Sequence, residues 1–125
     1  MQMILVVAIG GALGSVLRYL FVKFTGEWLG NGFPYGTLGV NVLGGLLAGA
    51  LYVVLAERYS PPQEWRGLLM IGVLGGFTTF SAFSVDTLKL LEQSGPLMAS
   101  VNVLSNVVLS LLTCSLGLWL ARQWA

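Results

Sequence analysis

The sequence predicts an all-α membrane protein with four transmembrane helices, and three observations predict it. Only 9% of the 125 residues are charged, six Lys/Arg and five Asp/Glu, where soluble domains carry roughly a quarter. Mean hydropathy is +0.85. The charges also leave four long stretches free of them: 1–17, 28–56, 67–85 and 93–121, of 17, 29, 19 and 29 residues. A helix rises about 1.5 Å per residue, so roughly 20 residues cross a hydrocarbon core near 30 Å thick. These figures exclude a disordered chain, a soluble monomer and a nucleic-acid binder, since a net charge of +1 supplies no field for a polyelectrolyte.

Span one is expected over about 2–24, charge-free through Leu17, with Arg18-Tyr19 in its last turns. It lacks the basic region that precedes the apolar run of a signal peptide, so it reads as a retained helix. A connection over 25–34 carries the turn signals Gly30-Asn31-Gly32 and Phe33-Pro34. Span two runs over about 35–56 and stops before Pro61-Pro62, because successive prolines cannot continue a helix. Span three covers about 65–91, and Ser94-Gly95-Pro96 turns the chain into span four, about 97–121. Trp28, Trp65, Trp119 and Trp124 fall near span ends, where amphipathic rings favour the membrane interface. No linker divides the chain, so residues 1–125 form one four-span domain.

Charge placement also bears on orientation. With a cytoplasmic N-terminus, Arg58, Arg66 and Arg122 fall inside and Arg18, Lys23 and Lys89 outside. Orientation normally follows an excess of Lys/Arg on the cytoplasmic side, and three against three gives none. The chain is therefore expected to insert both ways up, and an antiparallel dual-topology homodimer is its natural closed assembly. The pairs Gly10/Gly14, Gly45/Gly49 and Gly72/Gly76 are small-xxx-small faces for close helix packing.

Chemistry concentrates in span three. Gly75-Gly76 followed by Thr78-Thr79 makes a poor helix interior, and hydroxyls at 78, 79, 81 and 84 can satisfy backbone groups freed by an unwound turn. A helix broken mid-membrane is tolerated where protein or a cavity surrounds it, and such breaks bind ions in transporters and channels; a kink without a ligand is the alternative. There is no histidine and one cysteine, Cys114, so a single chain offers no zinc site, disulfide or Cys/His nucleophile and is not expected to be an enzyme. No Asp or Glu lies in the charge-free spans, which counts against a proton-coupled exporter. On span four, Asn102, Asn106 and Ser110 recur every four residues beside Ser105, a polar stripe suited to interhelical hydrogen bonds or to a pore lining.

The run Gly75-Gly76-Phe77-Thr78-Thr79-Phe80-Ser81-Ala82-Phe83-Ser84 resembles the signature of the Fluc (CrcB) fluoride channels, four-span proteins that work as dual-topology homodimers. Gly10-Gly11-Ala12-Leu13-Gly14-Ser15-Val16-Leu17-Arg18-Tyr19 and Gly36-Thr37-Leu38-Gly39-Val40-Asn41-Val42-Leu43-Gly44 match the same family in the expected order. The resemblance covers essentially the whole chain. It implies a fluoride-selective channel of the bacterial inner membrane that releases cytoplasmic F⁻ passively, with two pores per dimer, and so protects the cell.

It also implies roles for individual residues. Asn41 would donate its side-chain amide to the ion, and Phe80 and Phe83 match the paired phenylalanines that line the pores. Ring edges carry the positive end of the aromatic quadrupole and can face an anion without formal charge. Thr37, Ser81 and Ser84 correspond to a track of hydroxyls; the family commonly has Thr at position 82, where this chain has Ala82. Asn106 and Ser110 would line the path from span four. Arg18 would act as a vestibule or structural charge, against the alternative of snorkelling to the interface. Asp86 reads as a partner for a basic residue at the membrane edge. Backbone carbonyls of Gly75 and Thr78 from both subunits would hold one structural Na⁺ on the dimer axis.

Overall fold

The computed structural model describes residues 2–124. Four helices long and apolar enough to cross a membrane make up the fold: span one, Gln2–Leu29; span two, Tyr35–Arg58; span three, Gln63–Ser94; and span four, Pro96–Trp124. Among the described residues there is no strand. The chain is a multi-pass membrane protein.

The first helix is longer than expected. It continues to Leu29 and leaves only 30–34 as connection, with the Thr25 hydroxyl bonded back to the Phe21 carbonyl at 2.6 Å. The stop is Gly30, whose φ of +79° suits glycine and whose amide bonds the Gly26 carbonyl at 2.9 Å. Arg18 consequently sits eleven residues before the helix end rather than in its last turns. Spans three and four are joined through Gly95 alone, at φ +95°.

Few large side chains are buried: Val40, Val53 and Asn102 are the largest that are fully enclosed. Most leucines and valines face outward, as they must in a chain solvated by lipid tails. Cohesion comes instead from helix backbones in close approach. A Cβ on Gly10 would stand 2.5 Å from the Leu68 carbonyl oxygen and 2.9 Å from the Gly72 Cα, so span one packs on the first part of span three at backbone distance. A Cβ on Gly45 would stand 2.8 Å from the Ser110 carbonyl oxygen, and Gly49 and Gly117 extend the same seam between spans two and four. The three predicted glycine pairs thus serve packing within one chain.

At the Pro61-Pro62 end, Arg122 forms a bidentate pair with Glu57, at 3.1 and 2.8 Å, and Arg58 donates to the Arg122 carbonyl. These exposed contacts tie the end of span four to the end of span two. Trp28 and Trp124 are the most exposed of the tryptophans, 86% and 88%, at helix ends.

Within span three the ladder lapses at 78–80. Thr78 takes an extended backbone, φ −83° and ψ 159°, and helix resumes at Ser81. Thr79 caps the new start: its Oγ1 accepts the Ala82 amide at 3.1 Å, the three-residue reach of an N-cap hydroxyl.

Candidate functional site

The peptide at Thr79 is held from outside its own helix. Asn41 Oδ1 accepts the Thr79 amide at 2.9 Å, and Asn41 Nδ2 donates to the Thr79 carbonyl at 3.0 Å. One side-chain amide thereby satisfies both backbone groups of a residue that has left the ladder, in the way a neighbouring strand would. Buried backbone groups left without partners are costly, so this clamp makes the non-helical turn tolerable. The second Asn41 amide hydrogen goes to Asn106 Oδ1 at 3.0 Å, and Asn106 Nδ2 donates to the Asn102 carbonyl and Oδ1 at 2.9 and 3.0 Å.

Two grooves flank the turn. The first, about 440 Å³, gathers Asn41, Thr78, Thr79, Phe80, Phe83, Asn106 and Ser110 and carries no formal charge. Phe80 and Phe83 stand with ring centroids 5.3 Å apart at 54°. They differ in exposure: Phe83 is buried at 9%, whereas Phe80, in the turn itself, is 78% exposed. Ser110 Oγ is the one buried side-chain polar atom without a hydrogen-bond partner among the described residues. A native buried polar atom with no partner calls for an occupant or a function.

The second groove, about 660 Å³, is lined by Arg18, Lys23, Asp86, Thr37, Ser81 and Thr79, among others. Arg18 is half-buried and donates from Nη1 to the Thr78 carbonyl at 3.4 Å, a long contact across the turn. Among the described residues Asp86 takes no basic partner, contrary to the expectation from sequence. Its Oδ2 accepts the Thr37 hydroxyl at 2.8 Å, because the start of span two lies nearer than Arg18 or Lys23. The Thr37 hydroxyl, with its proton on a carboxylate, has no donor left for an anion.

The sequence-predicted residues therefore fall into two sets. Asn41, Phe80, Phe83, Asn106 and Ser110 share the first groove; Thr37, Ser81 and Arg18 share the second. Ser84 lines neither, and its hydroxyl returns to the Phe80 carbonyl at 3.0 Å. Thr79, outside the residues expected to line the path, lines both grooves, and its hydroxyl serves a backbone amide freed by the turn, as expected of the hydroxyls at 78–84. Its signal was present: a hydroxyl three residues before the first free amide of a restarting helix is an N-cap pattern.

Gly75 and Thr78 offer the carbonyls named for a cation. The amides that would close the ladder on them are engaged elsewhere, Thr79 N–H on Asn41 and Ala82 N–H on the Thr79 hydroxyl. Arg18 takes one lone pair of the Thr78 oxygen and leaves the other. Two carbonyls without helical donors are the neutral oxygen set that a hard monovalent cation accepts, so the residues present fit the group.

Four apolar helices and a clamped non-helical turn flanked by two grooves, each with a few polar groups in an apolar lining, define a multi-pass membrane protein with an interrupted helix. The chain belongs to the CrcB family: the family model described as "CrcB-like protein, Camphor Resistance (CrcB)" matches residues 5–118. Several proteins named fluoride-specific ion channel FluC are similar to it over nearly their whole length. That of Chelativorans sp. is 47% identical over 98% of both chains. That of Magnetococcus marinus is 43% identical over 93% of this chain and 94% of the relative. That of Phenylobacterium zucineum is 46% identical over 98% of each. The family is one of ion channels, not enzymes.

Proposed function

We propose that this protein is a fluoride-selective channel of the bacterial inner membrane, releasing cytoplasmic F⁻ passively down its electrochemical gradient and so limiting fluoride toxicity. The observation that carries the reading is the first groove, which brings Asn41, Phe80, Phe83, Asn106 and Ser110 together without a formal charge. Fluoride is small and strongly hydrated. A path must replace its water with donors yet hold it weakly enough to let it leave. The unpartnered Ser110 hydroxyl and the edges of Phe80 and Phe83 are such donors. The Asn41 hydrogen on Asn106 is a third, which an ion would take in place of the Asn106 oxygen while the amide plane stays clamped on Thr79.

In the same reading two chains pair antiparallel, giving two pores, with the turn at 78–80 lying mid-membrane. The even division of basic residues and the outward face of Phe80 support this arrangement. The carbonyls of Gly75 and Thr78 from both subunits would hold one Na⁺. When bound, the ion supplies a fixed positive centre that joins the two interrupted helices.

Purified protein reconstituted in KF-loaded liposomes tests the reading. With valinomycin to carry K⁺, a fluoride electrode should record fast F⁻ release, and KCl-loaded vesicles should release no Cl⁻. F⁻ release no faster than from protein-free vesicles overturns the proposal. Single engineered cysteines on the connections should be labelled from both faces of the cell membrane; one-sided labelling rejects dual topology.

A further inference from the structure

A hydrogen-bond chain runs from residues that line the first groove to two that line neither groove. It begins at the Thr79 peptide and passes through Asn41 to Asn106, then to Asn102. Asn102 Nδ2 donates to Thr87 Oγ1 at 2.9 Å, and Thr87 donates to the Phe83 carbonyl at 2.7 Å. The chain therefore leaves span three before Phe80 and returns to it at Phe83, bracketing both rings from behind. Neither Asn102 nor Thr87 lines either groove, and Asn102 is 1% exposed.

Two features separate this from generic polar packing. Asn102 is polar yet among the most completely buried side chains, and its contacts face both ways along the chain: both of its oxygens accept from Asn106 and its amide donates to Thr87. A fully connected polar network of this kind specifies one geometry, because losing a member leaves the rest unsatisfied in a low-dielectric interior. Second, the Thr87 hydroxyl bonds back to the carbonyl four residues earlier, a contact that bends helices, and here the carbonyl belongs to Phe83.

We infer that Asn102 and Thr87 are positioning residues for the anion path: through Thr87 and Asn106 they fix where Phe83 and the Thr79 turn stand relative to span four. This inference rests on the fluoride-channel reading for its functional consequence, though the geometric part does not.

The test uses full-length protein with Thr87→Val, Thr87→Ser and Asn102→Ala, read in two ways. In the liposome assay Thr87→Val and Asn102→Ala should release F⁻ about five- to tenfold more slowly, the size one lost hydrogen bond carries, while Thr87→Ser stays near wild type. With 4-fluorophenylalanine in place of Phe83, the ¹⁹F resonance in fluoride-free buffer should move in Thr87→Val and stay put in Thr87→Ser. Slowed flux with an unmoved resonance, or a moved resonance with unchanged flux, overturns the inference. If Asn102→Ala does not assemble, the isosteric Thr87→Val against Thr87→Ser decides alone. A wild-type protein that releases no F⁻ refutes the channel reading instead, and the resonance still decides the geometric part.

Discussion

The two grooves beside the Thr79 turn share a wall but differ in what they offer an ion. The first has amide, hydroxyl and ring-edge dipoles and no charge; the second has Arg18 and Lys23 facing Asp86. In the first, polar groups are tied into a chain whose members satisfy one another, with Ser110 left over. In the second, two cationic side chains and one carboxylate line the same wall. The difference is that between a place where a dehydrated anion can be held by fixed dipoles and one where a hydrated anion is attracted at longer range. Substitutions should act differently on the two sides.

The largest effect is expected from Asn41→Asp. It removes both amide donors and sets a carboxylate against the Thr79 carbonyl and Asn106 Oδ1. F⁻ release should fall by about 100-fold or more, since a like charge about 4 Å away at the effective dielectric of a protein groove opposes an anion by several kcal/mol. Phe80→Ile comes next. It removes the exposed ring and its edge while keeping apolar bulk, and release should slow about tenfold with assembly unchanged, the range of one aromatic contact. Ser110→Ala should slow release several-fold yet leave thermal stability unchanged or slightly raised, because no hydrogen bond is lost and a buried unpaired hydroxyl, costing about 1–3 kcal/mol, is removed. Lys23→Gln in the second groove should have the smallest effect: about twofold slower release at low ionic strength and none near 1 M salt, where the Debye length is about 3 Å. A salt-independent loss at Lys23, or a salt-dependent one at Phe80, would break the distinction between the grooves.

How much of this was legible in the sequence follows from how local each feature is. The four spans were, because charge-free length decides what can cross a bilayer. The non-helical turn was foreshadowed by Gly75-Gly76 and Thr78-Thr79, whose intrinsic preferences oppose helix. Helix ends were less legible: the sequence placed a connection from Thr25, whereas the helix runs to Leu29 and stops at Gly30, the first residue of positive φ. What stayed out of reach were pairings across distance. Asn41 meets Thr79 from 38 positions away, and Thr37 meets Asp86 from 49. One sequence read by residue type puts Thr37 in a donor track, while the fold turns its proton to a carboxylate. Chemical type survived the transfer from sequence to structure; the partner of each group did not.

The central claim is that a dehydrated anion passes along the uncharged groove that Asn41 organises. The most direct measurement is F⁻ efflux from liposomes bearing wild-type protein beside vesicles bearing equal amounts of the intact Asn41→Asp assembly. Rapid release from the first and release near the protein-free background from the second is the predicted result. Equal rates from both would place the path elsewhere and contradict the account.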